Sequence, residues 1–495
     1  MRQRRSSNIL FVTDLSADEP LGIMQLSSML KKSGHNVRGV VLGENEDAQH
    51  VLKKIVKEFR PHIIGYSVVT GKERKWLDIN RELKKHASFF SIFGGPHPTF
   101  NPQVLNDKWL DGICIGEGEG PITELAEAIA HGSDITKIKN IWMKTKNGIV
   151  KNKLRPLVED LDSLPFPDRE IFQGVKEGRS YNIMSSRGCP YDCSYCINHQ
   201  LHILYGDKKM RYRSIDNFFD ELKFLKREYR ARMFLIHDDL FILNKKRVLE
   251  FTRRYAKEIG VPFSCSARPE MMTKGIAEAL SGAGCSVVFV GIESGNEGVR
   301  KKILNRRISD EQILNCCGIL RTAGIKIIAQ NILGIPATTI RNDFETLELN
   351  VRCKSFYAWC SICVPYQHTR IEIIAREVKQ LPKDYPGCIG SSYHHKTFLN
   401  LPHASKVNVL HKVFSLAARY PAIIPAVHEI VNRADEADFL KLNRLALDYR
   451  QYVYGKMAGD MKVFPSAIKE FLKDPVTFSL QDAGNRCHPK VCIYH

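Results

Sequence analysis

Three cysteines lie within eight residues in the segment CPYDCSYC, which spans residues 189–196. Three thiolates on one loop can ligate three irons of a cubane 4Fe–4S cluster, because cysteine thiolates are the usual ligands of such clusters. The fourth iron then lacks a protein ligand and can bind a substrate. The alternative is a structural zinc site, in which Cys189, Cys193, Cys196 and His199 form a Cys3His set. Structural zinc usually stabilises a small module with little core, whereas this loop caps a strand of a large predicted domain, which favours the cluster.

The cysteine loop follows the first strand in a series of six predicted strand–helix units, which begins near residue 181. Each unit is a short apolar run followed by helical periodicity, the pattern of parallel strands covered by helices. The strands read YNIMSS, MFLIHDD, FSCSAR, VVFVGIE, IKIIAQNILGIP and FYAWCSICVP. Six such units predict an open, partial (β/α)6 barrel, whose active site lies at the carboxyl ends of its strands. The cysteines stand at that end of the first strand.

A second alternation of strands and helices precedes the barrel, from residue 8 to about residue 130. Its strands read NILFVT, NVRGVVL, PHIIGYSVV, FFSIFGG and GICIG. This pattern predicts a flavodoxin-like, Rossmann-type parallel sheet, which binds ligands beyond the carboxyl ends of its strands. We therefore predict an α/β chain of four regions: a Rossmann-type domain (1–132), a linker (133–180), the partial barrel (181–394) and a mostly helical C-terminal region (395–495).

Composition and charge exclude some classes of protein. No apolar run reaches the ~20 residues of a membrane-spanning helix, and MRQRRSSNILFV lacks the apolar core of a signal peptide. Most of the 14 cysteines are scattered singly, as in reduced proteins of the cytoplasm. The net charge of +19 favours anionic partners, but the basic residues are spread over amphipathic helices such as RSIDNFFDELKFLKREY. We expect a cytoplasmic protein without a transmembrane segment, and nucleic acid is not a predicted partner.

The segment CPYDCSYC resembles the motif CxxxCxφC of the radical S-adenosylmethionine (radical SAM) superfamily, with Tyr195 as the aromatic residue φ. The preceding domain and the segment LDSLPFPD resemble the subgroup with an N-terminal cobalamin-binding domain, the class B radical SAM methyltransferases. The resemblance implies a 4Fe–4S cluster, S-adenosylmethionine (SAM) and cobalamin as cofactors, and an electron donor such as flavodoxin or ferredoxin. It also implies cleavage of SAM to methionine and a 5′-deoxyadenosyl radical, which removes hydrogen from an unactivated carbon.

The same resemblance assigns site residues in the barrel. Cys189, Cys193 and Cys196 are the expected cluster ligands and the catalytic centre. The expected SAM contacts are Tyr195, Asp238, Asp239, Arg268, Glu293, Gly334 and Pro336. Each of these contacts has a structural alternative, since an aspartate can cap a helix, Glu293 can pair with Arg268, and Gly-x-Pro can simply shape a turn.

Two segments depart from the family pattern on the substrate side of the barrel. Residues 337–339 read Ala-Thr-Thr where relatives often carry Gly-Glu-Thr. Residues 367–368 read Gln-His where relatives often carry a Pro-Gly pair. Because of these differences, the substrate of this chain is not inferred from the substrate of any one relative.

The N-terminal domain lacks the Asp-x-His-x-x-Gly motif in which a histidine ligates cobalt. Its segments PHIIGYSVVTG, FGGPHPTF and ICIGEGEGPITELAEA resemble the sheet rim that holds cobalamin in many members of the subgroup. The expected cobalamin contacts are Ser67, Thr70, Gly94, Gly95, Gly116 and Glu117. Glycines allow a flat macrocycle to approach the backbone closely. For His97 a local turn bond is the simpler role, and a domain that keeps the fold without the cofactor is the alternative.

The resulting hypothesis is cobalamin-dependent methylation of an unactivated carbon in a small-molecule or peptide substrate. Radical cyclisation or rearrangement is the alternative within the same chemistry. A tRNA methylthiotransferase would need further cluster cysteines before the barrel, where Cys114 alone precedes Cys189. The rival from another class is a zinc-stapled binding protein without catalysis. The C-terminal tail adds a second group of possible metal ligands, Cys487, His488, Cys492 and His495.

Overall fold

A computed structural model of the chain describes residues 6–14, 19–43, 48–172, 178–390, 394, 396–458 and 463–478. The cysteines and histidines of the C-terminal tail lie outside these ranges. Contacts divide the chain into two compact units. The first unit comprises Met1–Asn182, Gln200–Ala231 and Ile389–Ser391, and the second comprises Ile183–His199, Arg232–Cys388 and Ser392–His495. No helix within the described ranges is long and apolar enough to cross a membrane.

The first unit contains a seven-stranded sheet. Its strands are β1 (Asn8–Asp14), β2 (Asn36–Leu42), β3 (Ile63–Ser67), β4 (Phe90–Gly94), β5 (Gly112–Cys114), β6 (Ile141–Thr145) and β7 (Gly148–Lys151). They are ordered β2-β1-β3-β4-β5-β6-β7, with parallel pairing as far as β5. This is the flavodoxin order, in which ligands bind where the strand order reverses between β1 and β3. The predicted Rossmann-type fold is confirmed.

Helices cover both faces of this sheet. They are α1 (Leu21–Lys32), α2 (Ala48–Phe59), α3 (Glu73–Lys84), α4 (Pro96–Phe100) and α5 (Glu119–His131). Strand β1 is buried from Ile9 to Thr13, as its unbroken apolar run predicts for a central parallel strand. Gly34 follows α1 with a φ of +87°, a conformation that costs glycine little, so the chain can turn directly into β2.

The hairpin of β6 and β7 extends the sheet rather than serving only as a connection. Strand β6 pairs antiparallel with β5, and β7 pairs antiparallel with β6. Ile141 and Met143 of β6 are buried in the core beneath α1 and α5. The hairpin thus belongs to the first compact unit, although the predicted boundary at residue 132 stays a prediction.

A buried ion network joins distant segments of the first unit. The guanidinium of Arg169, which follows the LPFPD segment, lies 2.8 Å from the Glu19 carboxylate and 3.1 Å from that of Glu221. It also donates to the carbonyl of Asn182 at 2.8 Å. Arg179 pairs with the second oxygen of Glu19 at 3.0 Å. Charges buried this deeply are tolerated only when they are paired and hydrogen-bonded, as they are here.

The remaining strands and helices follow in chain order. The strands are β8 (Ser180–Ile183), β9 (Ser186–Arg187), β10 (Arg211–Tyr212), β11 (Met233–Ile236), β12 (Phe263–Ala267), β13 (Cys285–Glu293), β14 (Lys326–Leu333) and β15 (Tyr357–Ile362). The helices are α6 (Asn198–Tyr205), α7 (Ile215–Glu228), α8 (Lys245–Glu258), α9 (Lys274–Gly282), α10 (Glu297–Lys302), α11 (Asp310–Thr322), α12 (Ile340–Cys353), α13 (Arg370–Glu377), α14 (Ala404–Arg419), α15 (Ile424–Arg433), α16 (Glu436–Ala458) and α17 (Ser466–Lys473).

The second sheet has six strands in the order β8-β11-β12-β13-β14-β15. The pairs from β11 to β15 are all parallel, and the strands follow one another in chain order, as in a curled half-barrel. The predicted partial (β/α)6 barrel is therefore confirmed. Beyond it, α14 to α17 pack against β15 and α12 around the buried side chains of Leu410, Phe414 and Phe471. This agrees with the predicted helical C-terminal region.

Candidate active site

The cysteine loop runs from the end of β9 to the start of α6. Gly188 has a φ of +98°, which lets the backbone turn before the first cysteine. Within the loop, the backbone N–H of Cys196 donates to the carbonyl of Cys193 at 3.0 Å. Ser194 anchors the loop, because its N–H donates to the carbonyl of Leu304 at 3.0 Å and its carbonyl accepts from the first turn of α13. The spacing between the thiols is thus fixed by the backbone.

None of the three thiols forms a disulfide; Cys193 is buried and the other two are half-buried. Burial raises the pKa of Cys189, and it raises the pKa of Cys196 to about 12. Among the described residues, no three His, Cys, Asp or Glu side chains converge closely enough to hold one metal ion. The Nδ1 of His199 lies 2.6 Å from the Cys196 carbonyl oxygen. The geometry thus gives no support to a Cys3His zinc site, whereas cluster ligands bind different irons and need not converge on one point.

Two buried arginines approach the central thiol. The guanidinium of Arg268 lies 3.5 Å from the Cys193 sulfur, and that of Arg306 lies 3.8 Å from it. Arg268 also donates to Glu270 at 2.7 Å, and its guanidinium stacks 3.7 Å above the ring of Tyr191. These contacts place positive charge beside a sulfur that must be a thiolate to ligate iron.

Tyr195 and Glu293 meet through Arg306, which the sequence analysis missed. The Arg306 guanidinium lies 3.2 Å from the Tyr195 hydroxyl and 3.7 Å from the Glu293 carboxylate, and it donates to the carbonyl of Gly291 at 2.7 Å. Burial raises the pKa of Tyr195 well above its usual value. The expected alternative partner of Glu293 was Arg268, so the structure corrects that pairing. Arg306 follows α10 in the loop NRRIS, and no local pattern marks it.

The end of β13 has an unusual backbone. Glu293 has a φ of +68°, and the register between β13 and β14 shifts between Gly291 and Glu293. A Cβ on Gly291 would lie 2.7 Å from the Glu293 carboxylate, so a larger residue there would displace that carboxylate. A left-handed, non-glycine residue costs ~1–2 kcal/mol, and such strain clusters at functional sites. The bulge turns the Glu293 side chain toward Arg306.

The two predicted aspartates flank the cysteine loop. Both carboxylate oxygens of buried Asp238 accept hydrogen bonds at 2.6 Å from Ser185 and Ser186. Burial raises the pKa of Asp238, although these bonds oppose the shift. Asp239 accepts from the side chain of Asn198 and from the backbone N–H of Gly188. Asp238 thus positions the chain before the loop, and the predicted SAM contacts of both residues stay predictions.

The predicted Gly-x-Pro turn follows β14. Gly334 has a φ of +66°, and a Cβ there would lie 3.0 Å from a methyl carbon of α14. Its N–H donates to Asp343 at 3.1 Å, and Pro336 is buried. Ala337 and His368, which stand in the two segments that depart from the family, have φ values of +63° and +67°. The left-handed backbone is therefore kept where relatives often carry glycine.

We expect Asp343 to make the stability of the turn dependent on pH. The residue is 2% exposed, and burial raises the pKa of its carboxyl to about 7. Because the pKa of Asp343 is higher in the folded than in the unfolded protein, its protonated carboxyl contributes to stability. This contribution is complete below about pH 4 and is lost as pH rises through about 7. The free energy of unfolding should therefore fall by about 3 kcal/mol between about pH 5 and about pH 8, relative to Asp343→Asn. Denaturant titrations at both pH values measure this difference. The exposed Asp384→Asn serves as the control, and an identical pH dependence in wild type and Asp343→Asn would contradict the prediction.

In the first unit, the predicted cobalamin contacts lie at the carboxyl ends of β3 and β4. Ser67 and Gly94 are the last paired residues of these neighbouring strands. A Cβ on Gly94 would meet no heavy atom within 4 Å, so open space lies beside this glycine. Gly95 has a φ of +98°, and a Cβ there would lie 3.0 Å from the Val68 carbonyl oxygen. The rim is thus open at Gly94 and tightly packed at Gly95.

The loop after β3 contacts α4 through side chains. The Nδ1 of His97 lies 3.2 Å from the Thr70 hydroxyl and 3.8 Å from the Glu73 carboxylate. Burial lowers the pKa of His97, against the opposing effect of Glu73. These bonds agree with the local role expected for His97, and they fix Thr70 at the rim.

The rim segment after β5 is held by residues that the sequence analysis did not single out. A Cβ on Gly116 would collide with the hydroxyl of Tyr205, and that hydroxyl accepts from the N–H of Glu117 at 3.2 Å. The Glu117 carboxylate pairs with both terminal nitrogens of Arg211, at 2.8 and 3.1 Å, and accepts from the N–H of Val158 at 2.8 Å. The carboxylate and the backbone N–H of Glu117 are therefore both engaged within the protein, and its predicted cobalamin contact stays a prediction.

The domain order follows from comparison with known families. Residues 183–349 match the family described as the radical SAM superfamily. The barrel of this chain is a radical SAM domain. Residues 11–126 match the B12 binding domain, so this radical SAM protein carries a B12-binding domain before its barrel. The predicted resemblance is confirmed, as are the cofactor classes expected of the two domains.

Relatives of this radical SAM protein include methyltransferases. It is 29% identical over 362 residues to an uncharacterized methyltransferase of Pyrococcus horikoshii, covering 71% of this chain and 77% of the relative. It is 25% identical over 353 residues to an anaerobic magnesium-protoporphyrin IX monomethyl ester cyclase of Rubrivivax gelatinosus, covering 67% of this chain and 61% of the relative. The fold matches the radical SAM methyltransferase TsrM of Kitasatospora setae, solved with cobalamin and a [4Fe-4S] cluster, at a TM-score of 0.60 and 18% identity over 75% of each chain.

Proposed function

We propose that this radical SAM protein transfers a methyl group, with the help of cobalamin, to an unactivated carbon of a small-molecule or peptide substrate. The observation that carries the proposal is a loop of three cysteines, none of them in a disulfide, in a radical SAM domain that follows a B12-binding domain. Similarity to methyltransferases across most of the chain supports methyl transfer.

The residues around the cysteine loop fit a 4Fe–4S cluster. Its donor set is three thiols, which leaves one iron without a protein ligand. A cluster held by thiolates carries negative charge, and Arg268 and Arg306 lie within 3.8 Å of the central sulfur. Hydrogen bonds to cluster sulfurs tune such centres. Cys189, Cys193 and Cys196 would therefore hold the cluster.

The rim of the first unit fits cobalamin at the point where it is open. Gly94 leaves space beside the carboxyl end of β4, and Ser67 of β3 is its direct neighbour in the sheet. Ligands of sheets with this strand order bind at this edge. Ser67, Thr70 and the backbone at Gly94, Gly95 and Gly116 would hold the cofactor.

When bound, the reduced cluster, SAM and cobalamin supply a carbon-centred radical and a methyl group. The residues of the chain bind and orient these groups. Arg268 would hold the SAM carboxylate, Glu293 and Asp239 would contact its polar groups, and Tyr195 and the Gly334 turn would border the adenine. A reductant such as flavodoxin or ferredoxin would supply the electron.

Radical ring formation is the second candidate, because the cyclase of Rubrivivax gelatinosus matches two thirds of the chain. Its chemistry would use the same cysteines and the same SAM contacts. The two candidates differ in their products, since methyl transfer converts one SAM to S-adenosylhomocysteine for every SAM cleaved to 5′-deoxyadenosine. Cyclisation or rearrangement yields 5′-deoxyadenosine without S-adenosylhomocysteine.

Product analysis tests the proposal without knowledge of the substrate. The full chain is purified without oxygen, loaded with iron, sulfide and cobalamin, and incubated with SAM and a chemical reductant. We expect both S-adenosylhomocysteine and 5′-deoxyadenosine by mass spectrometry, with the former dependent on added cobalamin. Deoxyadenosine without S-adenosylhomocysteine would exclude methyl transfer and favour ring formation, and colourless protein with one zinc per chain would exclude both.

A further inference from the structure

A cavity of about 50 Å³ lies in the second unit among β15, α14 and α16. Its walls include Tyr357 and Cys360 of β15, Lys412 of α14, and Asn443 and Arg450 of α16. About 10–15 Å³ of such volume already holds one water molecule, so this cavity can hold a group the size of a phosphate or a carboxylate. None of these residues is among the predicted contacts of SAM or cobalamin.

Two cationic side chains line the cavity. Lys412 is 4% exposed, and its ammonium donates to the carbonyl of His394. Arg450 is half-buried, and its Nε is enclosed without a hydrogen-bond partner among the described residues. Burial, assisted by the charge of Arg450, lowers the pKa of Lys412 to about 8, against the opposing effect of Cys360. Both side chains thus place positive charge at the wall of the cavity.

No carboxylate lines this cavity in the part of the chain that the structure describes. The acidic residues of α16 pair elsewhere: Glu436 with Lys396, Asp438 with Arg433, and Asp448 with Arg444. Burying a cation without a counterion costs several kcal/mol per ion, so two cations facing one cavity are stable only with compensation. An anion that enters from outside would supply it.

We infer that this cavity binds an oxyanion, the phosphate or carboxylate group of a small molecule, between Lys412 and Arg450. The guanidinium offers a planar fork of donors that matches either oxyanion, and the ammonium adds a point charge. Asn443 offers a neutral donor on the same wall. The site lies on the helical side of β15, and its occupation does not depend on the cluster or on the proposed methyl transfer.

Calorimetric titration of the full-length protein with inorganic phosphate and with acetate, in separate experiments at constant ionic strength, tests this site. We expect saturable binding of at least one anion with one site per chain. Lys412→Met and Arg450→Met should each weaken it by at least about tenfold, because each removes a charged donor. Phosphate binding alone identifies a phosphorylated ligand, and acetate binding alone identifies a carboxylate.

Arg444→Met is the matched control, since Arg444 is an exposed residue of the same helix that pairs with Asp448. Its anion affinity should equal that of wild type. If Lys412→Met does not fold, Arg450→Met decides the outcome, because Arg450 is only half-buried. Wild-type protein that binds neither anion, or unchanged affinity in the variants, would overturn the inference.

Discussion

Replacing Cys193 by alanine is expected to abolish both iron loading and SAM cleavage. Cys193 is the buried central thiol of the loop, with the guanidiniums of Arg268 and Arg306 within 3.8 Å of its sulfur. Removal of this ligand leaves two thiols for four irons and leaves the positive charge of both arginines without the sulfur they face. Iron and sulfide analysis, the absorbance of the brown cluster and the yield of 5′-deoxyadenosine measure the effect under anaerobic conditions.

Two variants separate this loss from a general effect of mutation. Cys388→Ala removes a free, half-buried thiol outside the loop, so iron content and SAM cleavage should remain at wild-type levels. His199→Ala should also keep its iron, because the structure gives His199 no place in a set of metal ligands. Retained deoxyadenosine formation in Cys193→Ala would remove the assignment of the cluster. Loss of bound metal in His199→Ala would instead revive the zinc site.

The substitution Gly94→Val is expected to weaken cobalamin binding by at least about 100-fold while the protein stays folded. A Cβ on Gly94 meets no heavy atom within 4 Å, and its φ is not left-handed, so the sheet can accept the branched side chain. The same side chain would fill the open space where the cofactor is proposed to lie. An overpacked contact of ~3 kcal/mol corresponds to the expected loss of affinity.

Equilibrium dialysis with hydroxocobalamin measures this loss, and circular dichroism checks the fold. Gly22→Val is the control, because a Cβ on Gly22 in the first turn of α1 also meets nothing within 4 Å. Gly94→Val should keep its iron and still form 5′-deoxyadenosine, but it should form no S-adenosylhomocysteine. Cobalamin bound by Gly94→Val with wild-type affinity would contradict the placement of the cofactor at this rim.

The sequence predicts those parts of the site that depend on local spacing. The cysteine loop needs only eight residues to define it, and alternating apolar runs define both parallel sheets. Glu293 and Gly334 could be placed at strand ends for the same reason. Ala337 and His368 mark the limit of such rules, because the structure keeps a left-handed backbone there without glycine.

The rest of the site depends on contacts between residues that are distant in sequence. Arg306 reaches Cys193 across 113 positions, and Tyr205 reaches the N–H of Glu117 across 88. An arginine in a loop, or a tyrosine at the end of a helix, carries no periodic signal, so a sequence pattern cannot distinguish it from a surface residue. The alternative pairing of Glu293 with Arg268 was wrong, because charge alone does not say which of two arginines lies nearer to the carboxylate.

The ion network of the first unit has a consequence for the order in which the chain becomes structured during synthesis. Glu19 emerges early from the ribosome, but its partner Arg169 and that residue's second partner, Glu221, are translated 150 or more residues later. Domains generally fold as units while translation proceeds. Glu19 therefore stays without its arginine partners until the chain has been extended past Arg179. Arg169 stays without Glu221 until the chain has been extended past the cysteine loop. A chain truncated at residue 132 would lack β6, which pairs with β5, and it would also lack Arg169 and Arg179, which pair with the buried carboxylate of Glu19.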